Sequence, residues 1–77
     1  MIEIIEEEKN VITMKNVGDK LRKLRIEKGW TFAEMGRQSG LAPATITTTE
    51  YGRVPNLYTL LKMADALGYE VIMREKR

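Results

Sequence analysis

The hydrophobic positions of residues 17–68 fall in four segments separated by short turns, and the first and last segments show helical spacing. The last segment has the strongest pattern, with apolar residues at i, i+3, i+4, i+7 and i+10. These residues are Leu57, Leu60, Leu61, Ala64 and Leu67. Asn56 is a suitable N-cap for this helix and Gly68 is suited to end it, so we predict a helix between them.

The first segment carries a narrower apolar stripe, with the spacing i, i+4 and i+7. It consists of Val17, Leu21 and Leu24. This spacing predicts a helix over residues 17–28 with one apolar side. Asn16 is suited to the N-cap position, and Gly29 can take the left-handed conformation that ends a helix.

The second segment begins with the sequence of a capping box, in which Thr31 and Glu34 each cap the backbone amide of the other. Trp30 precedes the box and is suited to pack as a hydrophobic staple. The helix is predicted to run to Ser39, and Gly40 supplies the positive φ that a sharp turn requires. The predicted inner side of this helix consists of Ala33, Met35 and Gly36.

The third segment has the start of a helix but the composition of a strand. Pro43 suits the first helical position because its missing N–H is not needed there. The Thr and Ile residues that follow cost roughly 2–3 kcal/mol together, relative to Ala in a helix. We still predict a helix, ending at Tyr51 and Gly52, because short turns flank the segment and a neighbouring core overrides propensity.

The two ends of the chain lack helical periodicity. Residues 1–16 contain two short β-prone runs around a polar stretch, which fits either a β-hairpin or a frayed acidic leader. Met14 is also suited to be an alternative translational start. Residues 69–77 begin with a β-prone run and end in a basic tail, which predicts a terminal strand. Such a strand needs a partner, either the N-terminal hairpin or the same strand of a second chain.

The composition narrows the class of function. Seventy-seven residues suffice for one domain, and 43% hydrophobic with 31% charged residues is ordinary for a globular protein. The chain has no Cys and no His, so we expect no metal site, no cofactor and no enzymatic activity. Without an apolar run of membrane-spanning length or a signal-peptide pattern, we expect a cytoplasmic protein.

Charge is distributed unevenly along the chain. Residues 1–16 hold four Glu and two Lys, whereas residues 17–77 hold eleven basic residues against seven acidic ones. The positive excess therefore lies in the part with helical periodicity. A mild excess of this kind suits a nucleic-acid-binding protein, and it also occurs in domains with other functions.

Many residues between positions 21 and 67 occur at the spacing of a known family. They are Leu21, Leu24, Arg25, Gly29, Trp30, Thr31, Glu34, Met35, Gly40, Leu41, Thr45, Ile46, Glu50, Gly52, Pro55, Leu60, Leu61, Ala64, Ala66, Leu67 and Gly68. On these residues the chain resembles the Cro/repressor-type (XRE-like) helix-turn-helix family. The resemblance implies a mainly α, compact, lambda-repressor-like DNA-binding bundle of four to five helices over residues 17–68. The residue patterns add the short C-terminal β-strand and, as one of the two alternatives for residues 1–16, an N-terminal β-hairpin.

The resemblance also implies site residues, by position. In this family the third helix lies in the major groove of double-stranded DNA, with the second across its back. The base-facing residues would be Pro43, Ala44, Thr45, Thr47 and Thr48. The phosphate-facing residues would be Thr31, Phe32, Arg53 and Asn56. Arg25, at the end of the first helix, would pair with Glu50, at the end of the third.

The chain departs from the family pattern in four respects. Phe32 stands where Gln is frequent, and it cannot bind a phosphate as an amide does. The base-facing set has no Gln, Asn, Arg or Lys, which leaves hydroxyls and methyls that can meet a thymine methyl. Gly36 replaces the usual Ala, which we expect to loosen the helix by ~1 kcal/mol. Thr49 replaces an aliphatic residue, which we expect to weaken the core locally.

We therefore expect a sequence-specific DNA-binding transcriptional regulator, acting as a homodimer on a two-fold symmetric operator, with affinity mostly from phosphate contacts. The sequence leaves repression and activation equally open. The predicted dimer strand contains Tyr69, Val71, Ile72 and Met73. The alternative is an antitoxin-like interaction module, which binds a toxin or another partner protein and its own promoter.

Overall fold

The computed structural model describes Thr13, residues 15–73 and Glu75, and these residues form four α-helices. The helices are α1 (Val17–Glu27), α2 (Phe32–Ser39), α3 (Pro43–Glu50) and α4 (Leu57–Leu67). All four predicted helices are present, with bounds that differ from the predictions by at most two residues. They include α3, whose composition favours a strand.

One hydrophobic core joins all four helices. Its fully buried side chains are Leu21, Met35, Ile46, Met63 and Leu67. Every helix contributes at least one of them, and half-buried residues such as Trp30 and Leu60 pack around the cluster. Ile46 anchors α3 in this core, which explains how a segment rich in β-branched residues remains helical. Burial of such a side chain contributes roughly 1.5–3 kcal/mol, enough to offset the unfavourable propensity.

The two ends of α2 differ in how well they match the prediction. Its start has only half of the predicted capping box, whereas its end has the predicted glycine. The Thr31 hydroxyl accepts a hydrogen bond from the Glu34 amide at 3.1 Å. The Glu34 carboxylate does not return this bond. It accepts instead from the side chains of Arg37 and Gln38, one turn further along the helix. Gly40 ends α2 with φ of 76°, in the left-handed region that a sharp turn requires.

Three apolar positions were assigned to the wrong side of their helices. Ala33 is exposed on α2, and Leu57 and Leu61 are exposed on α4. Met63 is fully buried in their place, although the Leu and Ala spacing alone did not include it. The periodicity of α4 fits two adjacent stripes, and only packing against the other helices selects the one that includes Met63.

The segments outside the helices also differ from the predictions. Asn16 occupies the N-cap position of α1 but does not cap it, because its side-chain oxygen accepts from the Thr13 amide at 2.7 Å. The predicted hairpin over residues 1–16 lies almost entirely outside the described residues. Residues 69–73 are described and contain no strand, so the predicted C-terminal strand is not supported. A strand needs a neighbour, and no backbone hydrogen bond joins residues 70–73 to another described segment.

Two glycines allow α3 and its turn to approach the rest of the bundle closely. A Cβ atom on Gly18 of α1 would lie 2.5 Å from the carbonyl oxygen of Thr49. A Cβ atom on Gly36 of α2 would lie 2.7 Å from the carbonyl oxygen of Leu41 and 3.4 Å from the ring of Pro43. The sequence comparison treats Gly36 as a residue that only loosens the helix relative to Ala. The structure adds a steric reason for glycine at this position. This turn has no room for a methyl group there.

Candidate nucleic-acid interface

Helix α3 has two faces of opposite character. Its inner face, which is buried in the bundle, consists of Ile46, Thr49 and Glu50. Its outer face consists of the exposed residues Pro43, Ala44 and Thr48 and the half-buried residues Thr45 and Thr47. All five residues assigned to base contacts thus lie together on the outer face. The inner face determines how rigidly that surface is held.

A buried ion pair secures the C-terminal end of α3. Arg25 Nε donates to Glu50 Oε2 at 2.7 Å and Arg25 Nη2 donates to Glu50 Oε1 at 3.0 Å, so the pair is bidentate. The two side chains are 10% and 0% exposed, respectively. Arg25 Nη1 also donates to the carbonyl oxygen of Trp30 at 2.6 Å. Charges removed from water are tolerated only when their hydrogen-bonding capacity is used in this way.

The aromatic ring of Phe32 covers this ion pair. The Arg25 guanidinium carbon lies 4.4 Å from the centroid of the ring, a distance at which the cation is attracted to the π face. Phe32 is half-buried and packs against the core. Its position in the family pattern implied a phosphate contact, but the ring has no hydrogen-bond donor. In this chain its contacts are with the scaffold.

The threonines of α3 direct most of their hydroxyl hydrogens inward, to the backbone of the same helix. The hydroxyl of Thr47 donates to the Pro43 carbonyl at 3.0 Å, and that of Thr48 donates to the Ala44 carbonyl at 3.1 Å. Thr49 does the same toward Thr45, at 2.8 Å. This bond satisfies the buried hydroxyl of Thr49, so the side chain leaves no unpaired polar atom where an aliphatic residue was expected.

Thr45 differs from the other three threonines. It is half-buried, and its hydroxyl has no hydrogen-bond partner among the described residues. The outer face therefore has one uncommitted hydroxyl, two committed hydroxyls, several methyl groups and no charged side chain. Such a surface cannot form the bidentate hydrogen bonds by which Arg, Asn or Gln read guanine and adenine.

The positions assigned to phosphate contacts lie at the starts of α2 and α4 and in the loop after α3. Arg53 is exposed, and its amide donates to the Thr48 carbonyl at 3.0 Å, which ties the loop to the end of α3. Asn56 caps α4 as predicted, because its side-chain oxygen accepts from the Thr59 amide at 2.8 Å. The amide nitrogen of Asn56 remains available as a donor. Thr31 is also exposed, with its hydroxyl oxygen engaged in the α2 cap.

A second exposed surface lies on α4 and the segment after it. Tyr58 and Leu61 of α4, together with Tyr69 and Val71, line a groove of about 460 Å³. Beyond it Ile72 and Met73, which were assigned to the dimer strand, are 79% and 98% exposed. We name these six residues the C-terminal apolar surface. Sequence reasoning found its second half through β propensity but missed the contribution of α4, because Leu61 fits the apolar helical pattern and nothing in that pattern marks it as exposed.

With this geometry in place, comparison with known proteins identifies the class. A family model described as a helix-turn-helix domain matches residues 16–76, most of the chain. The chain therefore belongs to the helix-turn-helix domain family, in agreement with its Cro/repressor-type resemblance. Domains of this kind bind DNA through the second helix of their motif, which corresponds to α3 in this chain. The match therefore supports a DNA-binding regulator. No curated protein matches the chain significantly.

Two features are absent from the described residues. None of the helices there has the length and apolar character needed to cross a membrane. The same part of the chain contains no group of three His, Cys, Asp or Glu side chains arranged to hold a metal ion.

Proposed function

We propose that the chain is a sequence-specific DNA-binding transcriptional regulator that acts as a homodimer on a two-fold symmetric operator. The observation that carries the proposal is the outer face of α3. Five neighbouring side chains lie on this face, three of them exposed, while the opposite face is fully buried and its polar groups are satisfied. A helix held in this way can enter a major groove without disturbing the core. The proposed regulator is cytoplasmic and has no catalytic activity and no cofactor.

Affinity comes mainly from phosphates. The outer face of α3 has no charge, whereas Arg53 and Asn56 lie in the exposed segment between α3 and α4, with side chains that can donate to the DNA backbone. Each phosphate neutralised by a basic side chain releases counterions, so the affinity should fall steeply as salt concentration rises. Specificity then comes from a small number of base contacts and from DNA shape.

Dimerisation supplies the remaining contacts. One bundle of this size makes few contacts with DNA, and a second copy doubles them on a symmetric site. The C-terminal apolar surface supports this role, because Ile72 and Met73 are almost fully exposed and adjoin a groove. A second copy would offer backbone partners to residues 70–73, which form no backbone hydrogen bond with another described segment.

Selection of random duplexes at two salt concentrations tests DNA binding, and sedimentation of the free protein tests dimerisation. We expect a preferred, two-fold symmetric site whose affinity falls with salt. We also expect Ile72→Asn to weaken the dimer, while Ile26→Asn does not. Ile26 is the matched control because it is another exposed isoleucine, 52% exposed and on α1. A protein that stays monomeric at micromolar concentration and shifts no duplex would contradict the proposal.

A second candidate function rests on the C-terminal apolar surface alone. An antitoxin-like module would use the groove beside Tyr58 and Leu61 to bind another protein. Purification from the native host discriminates between the candidates. The regulator is expected to elute as a homodimer, whereas the antitoxin is expected to elute with a second, different polypeptide in fixed stoichiometry.

A further inference from the structure

We propose that the outer face of α3 recognises the 5-methyl group of a pyrimidine, either thymine or 5-methylcytosine, through the methyl groups of Ala44 and Thr48. This inference rests on the proposed function, because it concerns which base features α3 reads once it lies in the groove. It goes further by naming the chemical group that is recognised.

The hydroxyl hydrogens of Thr47 and Thr48 already form hydrogen bonds within α3. A hydroxyl has a single hydrogen, and those of Thr47 and Thr48 donate to carbonyl oxygens of the preceding turn. While these bonds persist, neither hydroxyl can donate to a base. The Thr48 hydroxyl lies between two acceptors, since the Thr45 carbonyl oxygen is also only 3.2 Å away.

The second observation concerns the methyl group of Thr48. The Cβ atom of threonine carries one hydroxyl and one methyl, and few χ1 rotamers are allowed in a helix. Because the hydroxyl of this exposed side chain is bonded to the helix backbone, the methyl group is the substituent that Thr48 has left for contact with a base. Ala44, also exposed, lies four residues earlier and so on the same strip of the surface. Together they form a small apolar patch at the centre of the outer face.

The matching chemistry in the major groove is a methyl group. Of the four bases only thymine presents one there, at C5, and 5-methylcytosine presents the same group on a G·C pair. The competing reading is that the hydroxyl oxygens accept hydrogen bonds from the amines of adenine or cytosine. The two readings make opposite predictions when the methyl and the hydroxyl are removed separately.

The test starts from the preferred duplex of the selection experiment. Thymines in each half-site are replaced one at a time by uracil, which removes the methyl and retains the pairing edge. At the position read by Thr48 we expect about a fourfold loss of affinity per methyl, the effect of burying one such group. At the same position, a 5-methylcytosine pair should bind about fourfold more tightly than an unmethylated cytosine pair.

Two variants of one residue separate the methyl from the hydroxyl. Thr48→Val keeps a methyl and removes the hydroxyl, whereas Thr48→Ser keeps the hydroxyl and removes the methyl. We expect Thr48→Val to keep the preference for thymine over uracil, and Thr48→Ser to lose it. Thermal unfolding by circular dichroism verifies that both variants fold. Thr48 is exposed, so neither change removes a buried contact.

The possible outcomes distinguish failure of the methyl inference from failure of the proposed function. If the wild type binds a preferred site but uracil and thymine duplexes bind equally, the methyl inference is overturned and the proposed function stands. The same holds if Thr48→Ser keeps the discrimination and Thr48→Val loses it. If the wild type binds no duplex at any salt concentration, the proposed function and this inference both fail.

Discussion

The two faces of α3 both contain threonine, and the same intrahelical hydrogen bond has a different consequence on each face. Thr49 on the inner face and Thr48 on the outer face both donate their hydroxyl hydrogen to a carbonyl one turn back. In the core this bond removes the polarity of Thr49, which is only 3% exposed. On the surface, in our proposal, it leaves the methyl group of Thr48 for contact with a base. The fold thus treats threonine as a nearly apolar residue on both sides of the helix.

The faces differ in how strongly the rest of the chain constrains them. The inner face is fixed by Ile46 in the core, by the pair of Arg25 with Glu50, and by close backbone contact at Gly18. Among the described residues, no side chain of the outer face forms an ion pair with another helix. Substitutions on the inner face should therefore change stability, and those on the outer face should change binding.

The largest effect on stability is expected for Arg25→Ala. The Glu50 side chain is 0% exposed and would be left as a buried charge without a partner. We expect the free energy of unfolding to fall by about 3–5 kcal/mol, measured by urea denaturation. Arg22→Ala, on the exposed side of the same helix, is the matched control and should change it by less than about 0.5 kcal/mol. An Arg25→Ala protein as stable as the wild type would contradict the role given to the ion pair.

A smaller loss is expected for Gly36→Ala. Alanine is the better helix former by ~1 kcal/mol, but its Cβ would lie 2.7 Å from the Leu41 carbonyl oxygen. The resulting overpacking should outweigh propensity and lower the free energy of unfolding by about 1–2 kcal/mol net. Ala33→Gly, at an exposed position of the same helix, calibrates the propensity difference. A more stable Gly36→Ala protein would show that the turn after α2 adjusts to the methyl.

The outer face should respond in the opposite direction. The double variant Thr47→Ala/Thr48→Ala replaces two β-branched residues by the best helix former, so we expect unfolding free energy to rise by about 0.5–1 kcal/mol. DNA affinity should fall, because the Thr48 methyl is lost from the proposed reading surface. Denaturation and duplex titration of the same preparation check both effects. A variant that loses stability and keeps its affinity would reverse the assignment of the two faces.

The smallest effect on stability is expected for Arg53→Ala. Arg53 is exposed and its side chain forms no ion pair with the described residues. Stability should change by less than about 0.5 kcal/mol, while the slope of log affinity against log salt should decrease by about one per protomer. Arg53→Lys keeps the charge and should keep the slope. An unchanged slope in Arg53→Ala would remove this residue from the phosphate contacts.

Sequence reasoning was most successful where one physical signal dominated. The helices follow from periodicity and from start and stop residues such as Asn56 and Gly40. Helix α3 was predicted against its propensity, because a segment between short turns must pack on the core. Periodicity alone did not show that Met63 is buried and Leu61 is exposed on α4. Two adjacent apolar stripes fit the same helix, and the other helices of the bundle cover only one of them.

The candidate site was less accessible to sequence reasoning. That the outer face carries no bidentate reader is evident from residue types alone. The direction of the hydroxyls of Thr47 and Thr48 is a rotamer choice, and it requires the backbone. The contact of Phe32 with Arg25 joins two residues in different helices and has no local signal. The predicted strand after α4 failed for a related reason, because β propensity at Val71 and Ile72 does not provide a neighbouring strand.

The most direct test of the account is to map which residues of the ¹⁵N-labelled protein respond when the preferred duplex is added. We predict the largest amide chemical-shift changes at the outer face of α3, from Ala44 to Thr48, with a second group at Arg53. Ile46, within the same stretch but on the inner face, should move much less than Thr48. If the largest changes instead fall on Tyr58 and Leu61 while α3 is unaffected, the outer face of α3 is not the DNA-binding surface.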